Sequence, residues 1–242
     1  MQHDQLFLAV YHALDWQHCA VCHLSVQGVE RLIDGFLYER VNDPWTREDL
    51  LASRGFCAAH AWRLTHILDS QTGIAIVYRH LLQEFYDTFI TEAAGRVSQP
   101  VGLRLALFGG SNGGLGRSLS AWLTPQRPCL ACADQWQAEE RYTWATAQAL
   151  PDEDFRARYA SSLGLCLRHL ATVMTQTESS SDLEWLTNAE RALLEGLLND
   201  LSEFWRKHDY RFRHEPMSQG EATSWQRVLH KYVGAPGVVW RW

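Results

Sequence analysis

Gly55-Phe56-Cys57-Ala58-Ala59-His60-Ala61 and Gly164-Leu165-Cys166-Leu167-Arg168-His169-Leu170 decide how this chain is read. They are the same phrase written twice, once in each half of the chain. Upstream of each stands a second pair, Cys19-x2-Cys22 and Cys129-x2-Cys132. The gaps match as well, since Cys22 to Cys57 and Cys132 to Cys166 span nearly equal lengths of chain. Glu48-Asp49-Leu50-Leu51-Ala52-Ser53 parallels Ala157-Arg158-Tyr159-Ala160-Ser161-Ser162. All six cysteines fall in these four pairs. The period is far too long for a solenoid, so it reads as an internal duplication of a small domain.

Outward from these pairs the periodicity is helical. Val26, Val29, Leu32, Ile33, Phe36 and Leu37 fall on one face. Asn42-Asp43-Pro44 ends that helix and caps the next, and Gly55 stops it with a positive φ. Cys57 starts a helix carrying His60, Leu64 and Ile67, and a longer one follows with Ile74, Val77, Leu81, Leu82, Phe85 and Phe89 on its face. The second copy repeats the order, with a helix from about Asp134 to Ala149, a short one from Pro151, and a break at Gly164 before Cys166. Ser181-Asp182-Leu183-Glu184 reads as a capping box opening a long helix with Leu186, Leu193, Leu194, Leu197, Leu201 and Phe204 inward. Only Val101 to Phe108 resembles a strand. The fold class is all-α, two tandem related helical modules, each stapled by a Cys3His metal site. The expected divisions are 1–94, a Gly-rich linker or insert at 95–127, 128–208, and a docking tail at 209–242.

Each set offers three thiolates and one imidazole, a shell that commonly holds zinc in a tetrahedron. A C-x2-C turn can aim both sulfurs at one ion, and a C-x2-H pair at a helix start places its side chains on one face. The helix N-terminus also favours thiolate over thiol. Read along the chain, the shells are Cys19/Cys22/Cys57/His60 and Cys129/Cys132/Cys166/His169, with two zinc ions. The same soft ligands also suit an iron–sulfur cluster, which would imply electron transfer or sensing. Cys19-Ala20-Val21-Cys22-His23 fits a c-type haem attachment pattern too, but Ala133 replaces the histidine in the second copy.

The chain has 242 residues, 46% hydrophobic and 21% charged, ordinary globular values that exclude a disordered or collagen-like chain. The net charge is −6, which argues against coating nucleic acid by bulk charge. Of 22 basic residues only Lys207 and Lys231 are lysines. The N-terminus shows no secretory pattern and no stretch is long enough for a membrane helix, so a cytoplasmic protein with reduced cysteines is expected. Phe108 to Ser118 is glycine-rich but has no lysine for a phosphate-binding loop, and is read as a linker. His12, His18, His66 and His80 show no H-E-x-x-H or E-x-x-H partnership. Trp62 and Trp185 lie on expected helices as core residues, and Trp240 and Trp242 end the chain.

The tail is dense in polar groups. Arg211 and Arg213 could clamp an anionic cofactor or substrate, with Asp209, Glu215 and Glu221 orienting them. The plainer reading is a docking segment in which Tyr210, Phe212 and Trp225 plug a groove. Arg206, Lys207 and Arg213 form a small basic patch.

The duplicated C-x2-C and G-[FL]-C-x2-H motifs, with the tail Asp209-Tyr210-Arg211-Phe212, Glu215-Pro216, Gly220-Glu221 and Ser224-Trp225, resemble an uncharacterised bacterial family known as a domain of unknown function. The likeness spans Cys19 to Trp225; Ala20 and Leu130 stand where such knuckles carry proline. The resemblance implies a metal-binding helical protein and no assigned reaction. Three functions follow as expectations: a zinc-stabilised adaptor or regulatory protein working through an unidentified protein partner, with a homo-oligomer compatible; an iron–sulfur or thiolate redox enzyme or maturation factor; and, least favoured, a nucleic-acid binder.

Overall fold

The computed structural model describes residues 2–97, 116–117, 120–121 and 123–239. The strand-like run Val101 to Phe108, most of the glycine-rich linker, Trp240 and Trp242 lie outside the described residues. Every regular element described is helical: α1 (Gln2–Ala13), α2 (Ala20–Gly35), α3 (Pro44–Ser53), α4 (Ala58–Leu64), α5 (Gln71–Glu84), α6 (Thr91–Val97), α7 (Leu130–Ala149), α8 (Glu153–Ala160), α9 (Leu167–Gln176), α10 (Ser180–Lys207) and α11 (Gln219–Val233). Two π-helical turns, Phe36–Arg40 and Phe85–Ile90, extend α2 and α5. The fold is all-α.

Local chemistry places most helix ends. Asp43 accepts from the Thr46 amide to cap α3, with Pro44 at its first position, and Asp152 does the same for Phe155 at the head of α8. Arg47 then reaches back to the Val41 carbonyl and Arg156 to that of Leu150. The two neighbourhoods are built alike, side chain for side chain. Gly55 and Gly164 both hold positive φ, at 88° and 67°. The cap of α10 is Ser179, whose hydroxyl accepts from the Asp182 amide, so the helix begins earlier than the Ser181 box implied. A reciprocal capping box does occur, between Ser218 and Glu221, and it opens α11.

The chain divides into two compact units, residues 1–28 with 135–242, and 29–134. It leaves the first unit within α2 and returns within α7. The core of the first unit buries Val10, Leu14, Val21, Leu150, Phe155, Tyr159, Leu165, Val173 and Leu186. Within this unit α11 lies against α10 and α9. The second buries Val29, Ile33, Phe36, Leu50, Phe56, Leu64 and Val77, with Phe36 edge-on to Phe56 at 5.1 Å between ring centroids. Trp185 packs against Tyr159 and carries Arg156 over its face. Trp62, by contrast, is 71% exposed rather than in the core.

Candidate metal centres

Each of the four motif pairs sits at the beginning of a helix. Cys19 precedes α2 and Cys22 lies in its first turn; Cys129 and Cys132 stand likewise on α7. Cys57 and Cys166 are the N-caps of α4 and α9, with His60 and His169 in the first turns. The leading pairs are therefore helix starts rather than separate tight turns. Helix N-termini stabilise thiolate, so each pair arrives already favouring the ionised ligand.

The structure gathers the pairs in a crossed manner. Cys19, Cys22, Cys166 and His169 form one group in the first unit, and Cys57, His60, Cys129 and Cys132 form the other in the second. This corrects the assignment along the chain, Cys19/Cys22/Cys57/His60 and Cys129/Cys132/Cys166/His169. All eight residues are used, but each shell takes its C-x2-C from one copy of the motif and its C-x2-H from the other.

The spacing is that of a single coordination sphere. His169 Nδ1 lies 3.4 Å from Cys19 Sγ, 3.4 Å from Cys22 Sγ and 3.3 Å from Cys166 Sγ, and Cys22 and Cys166 are 3.7 Å apart. His60 Nδ1 lies 3.3 Å from Cys57 Sγ, 3.5 Å from Cys129 and 3.4 Å from Cys132, with Cys57 and Cys132 3.6 Å apart. A tetrahedral ion with bonds of ~2.3 Å to sulfur and ~2.0 Å to nitrogen places ligands about 3.8 Å apart for S–S and about 3.5 Å for S–N. Both groups therefore fit one ion each.

The electrostatics point the same way. Hydrogen bonding from Cys132 pulls the Cys129 thiol down to about 3 against the effect of burial, and His60 adds to this. The same bond pushes Cys132 up. Cys19 and Cys22 hold Cys166 far below the ordinary thiol range, while Cys22 itself is driven far above it. Burial acts to lower His169, yet its contacts with Cys166, Cys19 and Glu139 push it up to about 12. Three sulfurs this close cannot all ionise alone; a divalent cation lets them do so.

The supports differ between the centres. Glu139 Oε1 lies 3.9 Å from His169 Nε2, and this carboxylate also takes bonds from Gln135 and Arg168. A carboxylate behind a ligating histidine fixes ring and tautomer. His60 Nε2 is buried and has no hydrogen-bond partner among the described residues. Beneath Cys166, Glu190 accepts from the Leu165 amide at 3.0 Å and from the Tyr159 hydroxyl at 2.5 Å, and pairs with Lys231. Lys231 also donates to the Leu165 carbonyl at 2.6 Å. Lys231, Glu190 and Tyr159 are all buried. Sequence reasoning missed Glu139, Glu190, Tyr159 and Lys231; the one available signal was the scarcity of lysine. Both lysines turn out to serve in ion pairs, Lys231 with Glu190 and Lys207 with Glu221.

The tail residues are engaged with one another. Asp209 pairs with Arg211, and Glu215 and Glu203 both pair with Arg206. Glu221 takes Lys207 while closing the cap of α11. Arg206 and Arg211 lie over the Phe212 ring, and Arg213 is exposed. Tyr210 is 81% exposed and Trp225 46%. Arg206 and Lys207 face carboxylates rather than forming an open basic patch.

Helices opening on thiolates, gathered into two buried Cys3His groups, define a helical protein with two potential metal centres. The chain belongs to a family of unknown function, DUF6062, whose pattern matches residues 1–236. It is 27% identical over 217 residues to an uncharacterised 23.9 kDa protein in the xynA 3' region of Caldicellulosiruptor sp. (strain Rt8B.4), covering 89% of this chain and 95% of that one. No solved structure matches it.

Proposed function

We propose that the protein is a zinc-stabilised helical adaptor or regulatory protein, cytoplasmic, formed by internal duplication and acting through contacts with a protein partner. The observation that carries the zinc reading is ligand spacing: both groups sit at the edge lengths of a tetrahedron around one ion. In a four-iron cluster each thiolate takes its own iron, which spreads the sulfurs wider than ligands of one ion. A mononuclear Cys3His shell is saturated, so its ion holds the chain rather than activating water. The matched caps and arginine bonds around Asp43 and Asp152 support the duplication. Among the described residues no helix is long and apolar enough to cross a membrane. The partner reading rests on large aromatics left exposed, among them Trp45, Trp62, Trp205 and Tyr210.

Elemental analysis and an absorption spectrum of anaerobically purified protein test the metal. Two zinc ions per chain and a colourless solution are expected. Iron with visible charge-transfer bands would overturn zinc in favour of the redox reading. For the adaptor role, serine at Trp45, Trp62, Trp205 and Tyr210 should abolish partner capture with metal content unchanged; undiminished capture refutes it.

A further inference from the structure

A second kind of donor cluster lies outside the thiolate shells, within the first unit. His18 sits between α1 and α2, His23 in the first turn of α2, and His230 near the end of α11. The His18 ring centroid is 5.3 Å from that of His23 and 5.5 Å from that of His230. Trp16, itself exposed, lies flat on His23, with 4.1 Å between centroids and 20° between planes. All three histidines are half-buried, so ions in solution reach them. His230 Nδ1 is buried and has no hydrogen-bond partner among the described residues. No spacing rule in the sequence joins His230 to a pair near the opposite end of the chain; there His18 showed no metal partnership, and His23 entered only through the haem-like C-x2-C-H pattern.

Imidazoles that share one tetrahedral ion, with nitrogen–metal bonds of ~2.0–2.1 Å, hold their ring centroids about 5 Å apart. The separations from His18 to His23 and from His18 to His230 are close to that, with His18 standing between the other two and its ring stacked on that of His230 at 25° between planes. We propose that His18, His23 and His230 form a third metal site, made only of nitrogen ligands, for a borderline divalent cation such as zinc or nickel. Imidazole suits these ions, and three protein ligands leave a coordination position for water. The nitrogens are not gathered as tightly as the ligands of the two Cys3His groups. Binding therefore turns the half-buried rings about their side-chain torsions, and such a site exchanges its ion more readily than a closed thiolate shell. This inference goes beyond the structural zinc reading and uses none of its ligands.

The test starts from purified protein whose tightly held metal has been quantified. Calorimetric titration with zinc should show one further equivalent per chain, and nickel should quench part of the tryptophan fluorescence. His230→Gln, remote in sequence from every thiolate, should weaken the added equivalent at least 10-fold and leave the tightly held metal as in the parent. His18→Gln/His230→Gln should remove it. Trp16→Phe should lose the nickel quenching yet keep the added equivalent. No further equivalent in the parent overturns the site. So does an added equivalent unchanged in both histidine variants, which would place it on other surface histidines.

Discussion

The crossed shells make a prediction that separates them from shells paired along the chain. Cys22 Sγ lies 3.4 Å from His169 Nδ1 and 3.7 Å from Cys166 Sγ, so Cys22 and Cys166 serve one ion. Structural zinc is held by about 10–16 kcal/mol in small domains, so each of four ligands accounts for about 2.5–4 kcal/mol. Replacing one thiolate by serine should thus weaken retention about 10²–10³-fold. Cys22→Ser alone should keep one tight ion, and so should Cys166→Ser. The double variant Cys22→Ser/Cys166→Ser should still keep one, because the second change strikes a shell already broken. Cys22→Ser/Cys57→Ser should keep none. Native mass spectrometry counts the ions directly. The opposite result, in which Cys22→Ser/Cys57→Ser keeps one ion and Cys22→Ser/Cys166→Ser keeps none, would refute the crossed arrangement.

Other expectations concern the supports. In Gly164→Ala a Cβ would lie 2.6 Å from Glu190 Oε1 and 2.9 Å from Leu193 Cδ1, at a φ of +67°. Left-handed backbone costs about 1–2 kcal/mol, and disturbing a bond to a charged acceptor adds about 1–2 kcal/mol, so a thermal melt should show about 2–4 kcal/mol lost; an unchanged melt contradicts this. Glu139→Gln should loosen the ion of the Cys19 centre about 10–100-fold in chelator competition and leave the Cys57 centre unmoved. Loss at both centres would count against the contact with His169. Lys231→Met strands the buried Glu190 carboxylate and should cost about 3–5 kcal/mol in denaturant unfolding, with part recovered in Lys231→Met/Glu190→Gln. Equal stability of parent and Lys231→Met would remove the pair from the account.

Much of the fold could be read from particular residues. Asp43-Pro44 and Arg54-Gly55 mark the two ends of α3, where a carboxylate cap and a proline first turn open the helix and two successive positive-φ residues, Arg54 at 58° and Gly55 at 88°, close it. The four Cys and His pairs were equally legible, since the spacing within each is local, set by one helical turn. Trp62 shows where locality fails: a helical position says nothing about which face finds a partner, and Trp62 found none that covers it. Glu139 and Glu190 were invisible because their partners, His169, Arg168 and Lys231, lie 29 to 41 residues away with no repeating period to betray them. Ser179 took the cap from Ser181 because a cap is chosen by where the backbone enters the helix, and both serines offer the same hydroxyl.

The pairing of the shells was the sharpest failure, and its energetics explain it. Pairing along the chain would close the short loops from Cys19 to Cys57 and from Cys129 to Cys166. The crossed shells close spans of 147 residues from Cys22 to His169 and 72 from His60 to Cys132. These are roughly four times and twice as long. Loop entropy grows only as the logarithm of length, about 0.6 kcal/mol per doubling, so the longer spans cost about 1.2 and about 0.6 kcal/mol more, roughly 2 kcal/mol together. Against that stands what the first unit buries. Val10, Leu14 and Val21 from the start of the chain pack in one core with Leu150, Phe155, Leu165, Val173 and Leu186 from beyond residue 134. Each such side chain contributes about 1.5–3 kcal/mol when fully buried. Even the first three alone outweigh the entropy. Proximity in sequence was thus a weak preference, and the hydrophobic core, which brings α1 and the head of α2 to the second Cys-x2-His pair, overruled it.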